Sequence, residues 1–117
     1  MIIKNLMNEP FNQNNTFVEK MLNYVTGDQK VEIADKFLTK EIISVFKDSE
    51  LKNSIDAFFK NNLNVSETSR NAFMHRNTLI YRIDKIQKLT GMNIRDLDDA
   101  VKMMFLMSIY ERTKNIR

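Results

Sequence analysis

The sequence predicts an all-α domain, and two observations carry that reading. Apolar residues recur at spacings of three and four along most of the chain and almost never alternate at two, which is the period of a helix face rather than a strand. Glycine occurs twice and proline once in 117 residues, too few for the tight turns on which β-hairpins depend. There is no cysteine, which excludes disulfides and thiolate metal sites. The chain must therefore cohere by packing, as single domains above roughly 80 residues usually do.

Taken in order, residues 1–15 place five asparagines around Pro10 and Phe11 and read as a mobile or loosely docked arm. Thr16 is expected to cap a short helix with Phe17, Met21 and Leu22 inward, ending at Gly27 as the residue just past the helix. Residues 1–29 are thus an N-terminal arm and short helix, and residues 30–117 the helical domain. A helix from about Lys30 to Lys47 follows. Ala34, Phe37, Leu38, Ile42 and Val45 are its buried stripe, widened by Ile33 and Phe46. Asp48 or Ser49 caps the next helix, to about Asn61, where Leu51, Ile55, Phe58 and Phe59 fall on one face. Asn61-Asn62 breaks it.

Residues 64–91 read as two helices with a tight junction. Ser66 is the expected N-cap of the first, with Glu67 where the helix dipole favours an acid. Met74-His75 forms the turn. Arg76 to Thr90 is the second helix and Gly91 its stop. Leu79, Ile83 and Ile86 make one apolar stripe, while Asn77, Tyr81, Asp84 and Lys88 lie about half a turn away. After a linker from Met92 to Leu97, Asp96, Asp98 and Asp99 open a last helix that Arg112, Lys114 and Arg117 close, the charge order that suits the macrodipole. Its middle, Met103 to Met107, is apolar all round. Such a helix is buried on more than one side, either as a central core helix or with part of it against a second subunit.

Charge sets residues 64–91 apart. Lysine and arginine total 18 in the chain against 15 acids. This one segment holds five basic residues and two acidic ones, so the rest of the chain balances and the formal excess of +3 sits here. A local basic face on a helix pair is the electrostatic footprint of nucleic-acid binding. A solvated helix surface with no ligand would carry similar residues.

The same stretch resembles a known family. His75-Arg76-Asn77-Thr78-Leu79, then Tyr81-Arg82, then Leu89-Thr90-Gly91, with Asn64-Val65-Ser66 and Thr68 upstream, resemble the C-terminal helix-turn-helix of PucR-type regulators of purine catabolism and sugar-diacid use. More distantly they resemble the Fis-like DNA-binding hairpin. The likeness extends loosely from Phe37 to Ile109. Leu63, Ser69 and Ala72 depart from residues common in that family, which often has glycine, alanine and a larger apolar residue there. The resemblance implies a small helical domain in which support helices flank a Fis-like hairpin. Family members usually carry it at the end of a longer chain with a sensor domain, so the expectation is a stand-alone regulator or one signalled by a sensor partner protein.

Resemblance and geometry together place His75, Arg76, Asn77 and Tyr81 on base edges of double-stranded DNA. Thr78, Arg82 and Lys85 are assigned to phosphates, and Ser66, Thr68 and Arg70 to backbone contacts from the first helix. Arg82 lies nearer the apolar stripe, which makes an ion pair inside the domain its competing role. A homodimer is expected, because one hairpin reads only a few base pairs. A helical protein-interaction module is the alternative. RNA binding is weaker, since single-stranded RNA readers usually offer stacking aromatics on a sheet.

No catalytic constellation is visible. His75 stands alone without the three or four ligands a metal needs, and there is no phosphate loop or nucleophile elbow. Neither an enzyme nor a cofactor is expected. The longest apolar run falls far short of the roughly 18 residues a membrane span requires, and the chain reads as soluble and cytoplasmic.

Overall fold

The computed structural model describes residues 16–116; the arm expected at residues 1–15, and Arg117, lie outside the described residues. Among the described residues the fold is all-α, with seven α-helices and no strand. They are α1 (Phe17–Met21), continued by a 3-10 turn at Leu22–Tyr24, α2 (Gly27–Phe37), α3 (Lys40–Lys47), α4 (Ser49–Lys60), α5 (Val65–Asn71), α6 (Arg76–Thr90) and α7 (Leu97–Thr113). No described helix is long and apolar enough to cross a membrane.

The early boundaries correct the sequence reading. Thr16 caps α1, its hydroxyl accepting from the Glu19 N–H at 3.2 Å. Phe17 and Met21 are exposed, however, and only Leu22 is buried. Gly27 opens α2 rather than closing α1. Thr26 and Gln29 form a reciprocal capping box, each side chain accepting from the other's N–H at 3.1 Å, which satisfies two donors that a helix start leaves open. The helix expected over 30–47 is two helices. Leu38 leaves helical geometry at φ −86° and ψ 95° while its N–H still bonds the Ala34 carbonyl. The break buries Leu38 and leaves Phe37, expected inward, 51% exposed.

The described residues divide into two compact units, one of residues 40–103 and one joining residues 16–39 to residues 104–116. The division falls at the break after α2, whereas the sequence reading put a boundary near residue 30. In the unit of residues 40–103, α3 and α4 both pack on α6, and α5 packs on α4 and α6. Asp48 caps α4, its carboxylate accepting from the Glu50 and Leu51 N–H groups at 3.0 and 3.1 Å. The buried stripes are Ile42, Val45 and Phe46 from α3, Leu51, Ile55, Phe58 and Phe59 from α4, and Leu79, Ile83 and Ile86 from α6. Each such side chain contributes roughly 1.5–3 kcal/mol relative to an exposed one. The segment expected as a linker is packed as well. Met92 and Ile94 are buried, and Asp99 accepts from the Asn93 N–H at 2.9 Å.

In the other unit an ion pair joins α1 to α7. Arg112 donates through Nε and Nη2 to Glu19 Oε1 at 3.0 and 2.7 Å, through Nη2 to the Glu19 carbonyl at 2.8 Å, and through Nη1 to Asn23 Oδ1 at 2.9 Å. The Ser108 hydroxyl donates to the other Glu19 oxygen. Arg112 is thus a clamp as well as a complement to the helix dipole. In the apolar run of α7, Met103 and Met107 are buried and Met104, Phe105 and Leu106 are half-buried.

Candidate nucleic-acid interface

The helix pair is framed by two turns that use left-handed backbone without glycine. At the end of α4 the Leu63 N–H bonds the Phe58 carbonyl and the Asn62 N–H bonds the Phe59 carbonyl. Asn62 and Leu63 stand at φ 58° and 62°. This is a Schellman closure with asparagine in the position glycine usually takes. Leu63, which departs from the family's common glycine, therefore occupies a conformation that costs an L-residue roughly 1–2 kcal/mol. Asn64, not the expected Ser66, caps α5, its side chain accepting from the Glu67 N–H at 2.8 Å. Ser66 lies inside the helix.

The hairpin turn repeats the longer-range of the two bonds that close α4. The Met74 N–H bonds the Ser69 carbonyl at 2.9 Å, with Phe73 at φ 51° and 96% exposed. Helix α5 consequently ends at Asn71, three residues before the turn expected at Met74-His75. His75 then caps α6. Its Nδ1 accepts from the Asn77 N–H at 3.2 Å, so that nitrogen carries no proton in this arrangement and Nε2 holds the imidazole N–H. At the far end Gly91 sits at φ 79° and its N–H bonds the Gln87 carbonyl at 2.7 Å, the stop read from the sequence.

Between these ends α6 has two distinct sides. Leu79, Ile83 and Ile86 are fully buried. His75 at the cap and Arg76, Asn77, Tyr81, Asp84, Lys85 and Lys88 on the helix are exposed. Arg76 Nη1 donates to Ser66 Oγ at 2.9 Å, tying the first turn of α6 to α5. Arg70 is exposed and lies 3.8 Å from Glu67 on the same helix. Thr78 is half-buried. The exposed row offers guanidinium, amide, imidazole, phenol and ammonium groups, a donor-rich set suited to base-edge acceptors and phosphate oxygens.

Two expected site residues are placed elsewhere. Thr68 is fully buried and its hydroxyl donates to the Asn64 carbonyl at 2.6 Å, so it fastens the start of α5 and cannot reach a backbone phosphate. Arg82 points back into the domain. Its Nη2 donates to Glu50 at 2.6 Å and its Nη1 to Ser54 Oγ at 3.2 Å, the intradomain role that competed with phosphate binding. Glu50 and Ser54 had no local signal, since they lie 32 and 28 residues from Arg82 in sequence. Arg95 was missed for a similar reason. It donates to Asp84 at 2.8 Å and partly offsets the one acid in the exposed row of α6.

The model of the PucR C-terminal helix-turn-helix domain matches residues 51–109. The chain belongs to this family. The match runs from Leu51 in α4 through α5, the turn and α6 to Ile109 in α7, so it includes the support helix as well as the hairpin. This PucR-type domain is 34% identical over 61 residues to the carbohydrate diacid regulator of Escherichia coli (strain K12), covering 52% of this chain and 16% of that protein. It is 27% identical over 77 residues to the purine catabolism regulatory protein of Bacillus subtilis (strain 168), covering 62% and 14%. An uncharacterized protein of the same organism, YxkF, is 33% identical over 89 residues, covering 75% and 30%. The chain therefore spans less than a third of the length of these curated relatives. No solved structure matches it. The family and its regulator relatives place the PucR-type hairpin among DNA-binding transcriptional regulators.

Proposed function

We propose that this chain binds double-stranded DNA with sequence preference, laying α6 in the major groove while α5 braces it across the backbone. The observation that carries this reading is the two-sided character of α6. Its buried stripe fixes which side faces out, and that side presents Asn77, Tyr81 and Lys85 at i, i+4 and i+8, with Arg76 exposed at the first position of the helix. In the major groove each base pair offers a distinct pattern of donors and acceptors. His75, Arg76, Asn77 and Tyr81, nearest the N-terminal end, are the readers. Arg76 can address guanine O6 and N7 together, and its bond to Ser66 limits the conformations it must give up on binding. Lys85 and Thr78 hold phosphates, with Ser66 and Arg70 adding contacts from α5.

Titration with random duplex DNA at two salt concentrations tests this. Binding at low salt that weakens steeply as salt rises is expected, because phosphate neutralisation releases counterions. Absence of binding at low salt would leave the hairpin as a protein-interaction module.

The role we propose for the whole protein draws on its relatives. Two are regulators by name, and we assign this chain to transcription regulation, with sensing supplied by a partner or a further domain. Homodimerisation is part of the same reading. Specific affinity of a short hairpin usually comes from two half-sites about 34 Å apart, and Phe17, Met21 and Tyr24 offer exposed apolar surface at i, i+4 and i+7. Sedimentation velocity of the free protein and of its DNA complex should show a dimer at least on DNA. A monomer in both would end the dimer reading.

A further inference from the structure

Arg82 ties three parts of the hairpin unit together. It grows from the second turn of α6. Its Nη2 donates to Glu50 Oε2 at 2.6 Å and its Nη1 to Ser54 Oγ at 3.2 Å, both on α4. The same Nη1 lies 3.8 Å from the sulfur of Met74, the residue before the His75 cap. Ser54 in turn donates to the Glu50 carbonyl at 2.8 Å and sits 4.0 Å from the Met74 sulfur. One guanidinium thus joins the support helix, the turn and the reading helix.

The apolar stripe cannot supply what this fork supplies. Burial of Leu79, Ile83 and Ile86 is favourable but non-directional, so small rotations of α6 on its bed are weakly resisted. A planar guanidinium with donors at fixed angles resists them. Glu50 is 73% exposed on its side chain, and an ion pair with one partner so exposed adds little to folding. Its consequence lies in orientation. A few degrees of roll would carry Arg76, Asn77 and Tyr81 off the base edges they are assigned to.

We propose that Glu50 and Ser54, acting through Arg82, are positioning residues that set the roll of α6 and thereby the sequence preference of the domain, without touching DNA. This rests on the reading of α6 as the groove helix. It separates Arg82 from the cations that hold phosphate, and it gives α4 a part in recognition beyond packing.

The test uses the full chain and two probes, a duplex selected by the parent protein from a randomised pool and an unselected duplex of equal length. Arg82→Lys, Glu50→Gln and Ser54→Ala are compared, after circular dichroism shows each folded. Ser54→Ala leaves net charge unchanged, and Ser54 is 1% exposed, so no direct DNA contact is lost with it. The ratio of selected to unselected affinity should fall about tenfold in each, with Glu50→Gln/Arg82→Lys no worse than the single changes, as for residues acting through one network. The salt slope of Ser54→Ala should match the parent, since no phosphate contact is removed. Amide exchange in the DNA-free protein supplies a second readout. Exchange at Met74 and Leu79, whose N–H groups bond Ser69 and His75, should be faster in all three variants.

Two results would overturn the proposal. One is Arg82→Ala weakening both duplexes by the same factor and lowering the salt slope by about one, which makes Arg82 a phosphate contact. The other is Glu50→Gln and Ser54→Ala leaving both the ratio and the amide exchange at parent values. A parent protein that selects no sequence removes the functional reading instead. In that case amide exchange alone decides whether the fork holds α6.

Discussion

Ile83→Ala should cost the domain roughly 2–5 kcal/mol of stability, and Leu79→Ala a similar amount. Both side chains are fully buried, and the helix that carries them is the one on which α3, α4 and α5 all pack. Truncation removes the transfer free energy of the lost carbons and leaves a cavity that three surrounding helices cannot jointly close. Total stability of a small domain is about 5–15 kcal/mol, so either change takes a large share. Gln87→Ala, exposed on the same helix, should fall within about 0.5 kcal/mol of the parent. Urea titration reads the difference as a lowered midpoint at constant slope. Equal midpoints for Ile83→Ala and Gln87→Ala would mean that the inner face of α6 had been misassigned.

That face was legible because α6 obeys its local rules: a periodic stripe, a glycine stop and a defined start at Arg76. The same holds for α4, where Asp48 and the spacing of Leu51, Ile55, Phe58 and Phe59 agree. Elsewhere the sequence misled for reasons that can be named. The break between α2 and α3 falls at Leu38, a good helix former, with neither glycine nor proline beside it. The end of α5 depends on Phe73 adopting a left-handed conformation that aromatic residues seldom take. Gly27 looked like a terminator because glycine usually follows helices, yet the Thr26–Gln29 pair makes it a beginning. Asn64 and Ser66 are both competent caps, and only the backbone decides between them.

The candidate site divides along a similar line. Asn77, Tyr81 and Lys85 are exposed, as their phase on α6 required, and Arg76 is exposed because it opens the helix. Arg82 stands at the edge of that phase, where a small angular difference separates solvent from interior, and Thr68 falls on the buried side of α5. Partners distant in sequence hold Arg82, whereas Thr68 is held by the Asn64 carbonyl only four residues back. Nothing near Arg82 in the chain announces Glu50, and an acid in the first turn of α4 suits the helix dipole whatever else it does.

Arg76→Ala and Lys85→Ala should fail in different ways. Arg76 opens α6, and a recognition helix contacts base edges chiefly through its N-terminal residues. Lys85 lies nine positions on, about 13 Å along the axis at roughly 1.5 Å per residue, where the helix should run beside the phosphates. Arg76→Ala should cost roughly 1–3 kcal/mol on the preferred duplex and relax preference at one base pair. Lys85→Ala should weaken every duplex about equally and reduce the salt slope by about one. Arg76 also bonds Ser66, so Ser66→Ala is the control. It removes that bond and keeps the guanidinium, and should retain the base preference that Arg76→Ala loses. Competition binding across single-base variants of the preferred duplex, at two salt concentrations, measures all three. Equal loss on every sequence from Arg76→Ala, with preference intact, would move Arg76 to the phosphates and leave reading to Asn77 and Tyr81. No loss from either Arg76→Ala or Lys85→Ala would take α6 off the DNA.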